Sequence, residues 1–210
     1  FGSSRAATVE VWLRRPLGGG AVAEEAFLSL LGLQWASMTL EKGTQTCLIE
    51  SGKFKIIIMD APSDSNSATY VRELKSLGVT DVVRTCEPTY AHENFEREGI
   101  QVHEMMFPDG AAPPTELLQG WYDLIFRRYK SKDPSDSGLV AVHCVAGLGR
   151  APVMAAVALI ELTSMDPMDA VEKIRDKQKG AFNAKQLKFL QTYRPLSRSK
   201  GVTACHCILM

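Results

Sequence analysis

The chain has 210 residues, 45% of them hydrophobic and 23% charged, enough apolar side chain for one ordinary globular core. Its 24 basic and 24 acidic residues cancel to a formal net charge of zero, which leaves no electrostatic footprint for nucleic acid. Five scattered cysteines, an odd number, suit a reducing compartment better than a disulfide scaffold.

The first segment stands apart from the rest. It starts at Phe1, passes through Gly18-Gly19-Gly20 and has its first methionine at Met38, so residues 1–37 read as a leader from an upstream frame or an artificial remnant. An extension over 1–44 is therefore expected to add nothing to the fold. Residues 26–35 could form one apolar helix, too short for a bilayer, and Glu24 and Glu25 are misplaced for a signal peptide. Strands are expected over 47–50 and 54–60, then a helix over 67–77 stopped by Gly78. Strands over 81–85 and 100–106 precede a turn-rich connection and a helix over 115–129. A strand over 139–143 is followed by helices over 151–162, 167–178 and 184–193, with Gly180 as a further stop. This alternation predicts a single α/β domain over 45–194, with a central, mostly parallel sheet flanked by helices and a functional loop at the C-terminal end of a strand.

That loop is His143-Cys144-Val145-Ala146-Gly147-Leu148-Gly149-Arg150. It joins a short β-branched run to a long apolar stretch of good helix formers. Gly147 and Gly149 permit tight turns, so the N–H groups of Val145, Ala146, Gly147, Leu148, Gly149 and Arg150 can converge on one anion where the helix N-terminus adds positive charge. The same field favours a Cys144 thiolate, and Arg150 offers two parallel donors to phosphate oxygens. Alone, a cysteine ending a buried strand is a small inert hydrophobe. Five loop residues, two of them glycine, and an arginine at a helix start make it the signature of a phosphatase nucleophile, which would take the phosphoryl group and pass it to water. His143 reads equally as a hydrogen-bonded support for the loop and as a packed core histidine. An acid is also needed for the leaving oxygen. Phe107-Pro108-Asp109-Gly110-Ala111-Ala112-Pro113-Pro114 supplies Asp109, which by itself would be an ordinary turn residue and beside the loop becomes the candidate general acid and base. The reading calls for no metal and no cofactor.

These stretches, with Arg84-Thr85-Cys86-Glu87-Pro88-Thr89-Tyr90, Lys179-Gly180-Ala181-Phe182-Asn183-Ala184-Lys185-Gln186-Leu187 and the terminal Cys207-Ile208-Leu209-Met210, resemble the phosphatase of regenerating liver family. This type IVA group is a prenylated branch of the dual-specificity protein tyrosine phosphatases. The resemblance spans about residues 45–210 and implies the dual-specificity phosphatase fold, with Cys144 as nucleophile, Arg150 as phosphate clamp and Asp109 as acid. It also implies that Cys86 pairs with Cys144 in a reversible disulfide. Where most cysteine phosphatases carry a hydroxyl after the arginine, this chain has Ala151, as the family does, and slow breakdown of phosphocysteine is expected. The acid loop departs from the family, with Pro108 at an acidic position, Met105-Met106 in place of Trp-Pro, and one additional residue.

The last four residues also read directly as a farnesylation motif on Cys207, closing a flexible tail over 195–210 that carries Arg198 and Lys200 and follows Arg194. Cys205-His206-Cys207 is too compact for a closed metal site. One prenyl chain anchors only marginally, so the cations must assist it. The expected substrates are phosphorylated proteins, with phosphoinositides a further candidate given the anchor. The expected location is the cytoplasmic face of the plasma or endosomal membrane, with a cytosolic pool and no transmembrane segment. The family resemblance implies one alternative: a catalytically weak module whose phosphate pocket docks a membrane magnesium transporter of the cyclin M type.

Overall fold

A computed structural model describes residues 46–133 and 136–196. Five strands, β1 (Thr46–Ser51), β2 (Phe54–Met59), β3 (Val79–Arg84), β4 (Gln101–Glu104) and β5 (Leu139–His143), form one sheet in the order β1-β2-β5-β3-β4. β1 runs antiparallel to β2, and every other pairing is parallel. Among the described residues the helices are α1 (Ser67–Ser76), α2 (Glu93–Glu96), α3 (Thr115–Lys130), α4 (Arg150–Thr163), α5 (Pro167–Lys177) and α6 (Ala184–Thr192).

A parallel strand covered on both faces needs apolar residues at successive positions, and β2 shows how they divide. Ile56 and Ile58 enter the core shared with α3, α4, α5 and α6, while Ile57 and Met59 enter the core shared with α1. α4 is the buried axis of the larger core: every residue from Arg150 to Leu162 is buried, as a helix apolar on all sides requires. Ala155, Ala156 and Ala158 let its neighbours approach closely, and the Trp121 indole N–H on α3 donates to the Met154 carbonyl at 3.0 Å. β5 and α4 are thus fixed on all sides, and the loop between them hangs from two rigid supports.

The expected mostly parallel sheet is present, with β1 added as an antiparallel edge. Gly78 (φ +76°) and Gly180 (φ +83°) terminate their segments in the left-handed region, as read from the sequence. β4 is shorter than expected, because after Glu104 the chain leaves the sheet for the acid loop, although the Met105 N–H still donates to the Arg84 carbonyl at 2.9 Å. α2 is a four-residue turn, too short to produce a helical period in the sequence. Among the described residues no helix is long and apolar enough to cross a membrane. The apolar segment 26–35 and the motif around Cys207 lie outside the described residues.

Candidate active site

β5 ends at His143, and the next residue, Cys144, sits on the floor of a cavity of ≈ 360 Å³. Gly147 has φ +68°, and a Cβ there would lie 3.0 Å from the Met59 carbonyl oxygen, so both conformation and space require glycine. The loop is braced from behind: the Gln178 side-chain amide donates to the Gly147 carbonyl at 2.8 Å, and the Ala61 N–H to that of Val145 at 3.0 Å. Such bracing matches a cradle of inward-facing amides at a helix N-terminus. Val145, Ala146, Leu148, Gly149 and Arg150 line the cavity with Cys144.

Arg150 opens α4 and is itself buried. One terminal nitrogen, Nη1, donates to the carbonyls of Thr85 and Phe107, each at 3.3 Å. Its Nε lies 3.1 Å from Asp109 Oδ1. Asp109 occupies the second position of a β-turn closed by the Ala111 N–H on the Pro108 carbonyl at 3.1 Å, with Gly110 (φ +68°) in the third position. It is therefore a turn residue and a cavity residue together, with a side chain 80% exposed. The two readings open at sequence level are not alternatives.

His143 is fully buried and bonded at both ring nitrogens. Nδ1 lies 3.3 Å from the Cys144 carbonyl, which only accepts, so Nδ1 carries the proton and Nε2 accepts from the Tyr90 hydroxyl at 2.9 Å. Burial pulls the imidazole pKa down to about 4, against the raising effect of its bond to the Cys144 carbonyl. The ring is therefore neutral at physiological pH. Tyr90 is held in turn by Arg84, whose guanidinium donates to the Tyr90 carbonyl at 2.8 Å, lies 4.7 Å over its ring and pairs with Glu104. Cys86, two residues beyond the end of β3 at Arg84, is buried with its sulfur 4.0 Å from His143 Nδ1. Burial pushes its thiol pKa up, partly offset by Arg150.

Sequence reading did not assign roles to Phe182, Asn183 or Gln186, which line the same cavity. Phe182 is a non-glycine residue at φ +67°, held there by its N–H bond to the Leu148 carbonyl at 2.9 Å and by Arg175, which donates to the Ala181 and Phe182 carbonyls. The available signal was a turn ending in Asn183, three residues before Gln186, which is a helix-start pattern. Exposed Met106, Val145 and Leu148 form an apolar rim around the acid loop and cradle.

A family model described as "Swiss Army Knife protein, DSP-PTPase phosphatase domain" matches residues 51–202. The chain is 47% identical over 153 residues to the PRL-1 phosphatase of Drosophila melanogaster, covering 73% of this chain and 85% of that one. It is 44% identical over 152 residues to a probable protein tyrosine phosphatase type IVA A of Dictyostelium discoideum, covering 72% and 89%. A solved putative protein tyrosine phosphatase from Leishmania major aligns at a TM-score of 0.63 and 39% identity, over 71% of this chain and 99% of that one. Kinase associated phosphatase, at 18% identity and a TM-score of 0.60, shares the fold.

The neutral His143 makes stability depend on pH. Its folded pKa of about 4 lies below an unfolded value of about 6.5, so in that window the unfolded chain takes up a proton that the folded chain refuses. Stability falls as pH falls through the window, on the order of 2 kcal/mol between about pH 7 and about pH 5. Denaturant unfolding at the two pH values should show this loss, and His143→Gln should flatten it while lowering stability at neutral pH. An unchanged slope in the variant would remove His143 as its source.

Proposed function

Because the chain belongs to the protein tyrosine phosphatase type IVA family, cysteine-based phosphatases of the dual-specificity class, we propose that it dephosphorylates protein substrates through Cys144, Arg150 and Asp109. The Cys144 sulfur attacks phosphorus, forming an S–P bond as the P–O bond breaks. Arg150 and the loop amides hold the equatorial oxygens, and Asp109 gives its proton to the leaving oxygen. Asp109 then takes a proton from the water that attacks phosphocysteine and releases phosphate. The observation that carries this reading is the convergence of the Cys144 floor, the buried Arg150 and the turn-borne Asp109 on one cavity. Ala151 offers no hydroxyl to the departing thiolate, so the second step is the slow one.

Cys144→Ser should abolish hydrolysis of a small aryl phosphate, and Asp109→Ala should slow poor leaving groups most, within the ~10²–10⁴-fold range of an acid catalyst. Ala151→Ser should raise steady-state turnover and shrink the burst of product that precedes it. Activity retained in Cys144→Ser would overturn the nucleophile.

Cys86 is a resolving partner for Cys144 under oxidation. Peroxide would convert the Cys144 thiolate to a sulfenic acid, and the Cys86 sulfur would then displace hydroxide to form the disulfide. The shared position of the two thiols beyond the C-terminal ends of neighbouring β3 and β5 supports this, and burial, which pushes the Cys86 thiol pKa up, suits Cys86 to the resolving role. Peptide mapping after mild peroxide should recover Cys86 joined to Cys144, whereas recovery of over-oxidised Cys144 alone would exclude the pairing.

Farnesylation of Cys207 would hold this site at a membrane surface. Each buried CH₂ contributes ~0.8 kcal/mol, and Arg194, Arg198 and Lys200 contribute about 1 kcal/mol each near an anionic leaflet. Cys207→Ser should move the protein to the soluble fraction after cell lysis, and a variant that stays with membranes would sink the proposal. A second reading, docking of a membrane magnesium transporter in the pocket with slow catalysis, is favoured by Ala151 and by the apolar rim of Met106, Val145 and Leu148. A transporter complex that resists excess inorganic phosphate or survives Arg150→Ala would refute it.

A further inference from the structure

Asn183 and Gln186 form a reciprocal cap at the start of α6. The Gln186 N–H donates to Asn183 Oδ1 at 2.9 Å, and the Asn183 N–H donates to Gln186 Oε1 at 3.1 Å. Only the oxygens of the two side chains serve the helix. Both nitrogens turn the other way, to the acid loop: Asn183 Nδ2 donates to the Gly110 carbonyl at 3.1 Å, and Gln186 Nε2 to the Ala111 carbonyl at 3.5 Å. The amide orientations follow from the network, since backbone N–H groups only donate and carbonyls only accept.

A cap alone does not ask for this pair. Serine, threonine or aspartate with glutamate satisfies the same orphan amides, and none of the acidic choices has an N–H to spare. Asparagine and glutamine are the residues that cap with one atom and donate with another. The fit on the loop side is equally close: a Cβ on Gly110 would lie 3.0 Å from Asn183 Nδ2, so the turn bearing Asp109 is shaped against this amide. Gln186 is fully buried, and a Cβ on Gly149 would lie 3.3 Å from its Nε2, so the cradle holds it in place.

We propose that Asn183 is a positioning residue that latches the acid loop over the cavity and so aims Asp109 at the leaving oxygen, with Gln186 as the weaker second hook. The proposal rests on the assignment of Asp109 as acid. α6 thereby transmits its own rigidity to the loop, and loop opening requires release of the Gly110 carbonyl.

Asn183→Ser and Asn183→Asp both keep a capping oxygen and lose the nitrogen donor, and serine does so without adding charge beside bound phosphate. Each variant is compared with the full chain for thermal unfolding, orthovanadate inhibition, and kcat/KM on two aryl phosphates, one with an electron-poor phenol and one with an unactivated phenol. The expected result for Asn183→Ser is unchanged melting and vanadate affinity, with a drop of about three- to tenfold on the unactivated phenol, the size of one net hydrogen bond, and a smaller drop on the other. In an Asp109→Asn background the same substitution should have no further effect. Equal loss on both substrates, an additive loss in that background, or no loss overturns the latch, and so does unfolding of both variants, which would make the amide structural. If Asp109→Asn itself fails to discriminate between the two phenols, the acid assignment falls and the latch falls with it.

Discussion

The Arg150 guanidinium joins three segments that would otherwise have no reason to meet: the start of α4, the end of β3 through the Thr85 carbonyl, and the acid loop through the Phe107 carbonyl and Asp109. A buried guanidinium must satisfy its donors, and a planar fork satisfies them only in fixed directions. Its acceptors tie the acid loop at Phe107 and Asp109 to the start of α4. A phosphate entering the cavity would meet a cation already oriented by backbone oxygens, with little reorganisation left to do, the condition under which electrostatic stabilisation is most effective.

Behind the cavity the protein spends a chain of polar contacts on one neutral imidazole. Glu104 pairs with Arg84, Arg84 holds Tyr90 by its carbonyl and its ring, and Tyr90 donates to Nε2 of His143, whose tautomer the Cys144 carbonyl fixes. A protonated imidazole in this buried place would have to be desolvated beside Arg84 and Arg150, which is why the neutral form wins. The outcome is a proton on Nδ1, facing the Cys144 carbonyl and within 4.0 Å of the Cys86 sulfur. The histidine thus anchors the base of the cradle to the rear of the sheet. It touches the Cys86 sulfur and the backbone carbonyl of Cys144, the two residues whose pairing is proposed under oxidation.

The front of the cavity is built from looser parts. Phe182 in the left-handed region and the cap of α6 stand on one side, and the turn of Asp109 and Gly110 on the other, bridged by the water-exposed amide of Asn183. Hydrogen bonds in such places are weak and readily exchanged for water. The contrast between a rigid rear wall and a lightly fastened front suits a site that must admit a bulky phosphorylated chain and then exclude water.

The features that sequence alone determined are those encoded by near neighbours. The β-branched runs of β2, β3 and β5, the all-apolar helix after Arg150, the glycines of the cradle and the Pro108-Asp109-Gly110 turn follow from conformational preference over a few residues. Cys144 and Arg150 were legible because one loop carries both. Tertiary structure decided what depends on residues far apart in the chain. Asp81, a carboxylate in the middle of β3, is buried with His103 and Arg128 reaching it to offset its desolvation. His143 could be read as a support or as a packed ring until Tyr90 was found against it, and it is both. Asn183 reads in sequence as an ordinary helix cap, since its oxygen is committed three residues away while its nitrogen is committed to Gly110. Periodicity and local propensity carry no information about a partner 73 positions distant. Only the packing of α6 against the acid loop gives that nitrogen its acceptor.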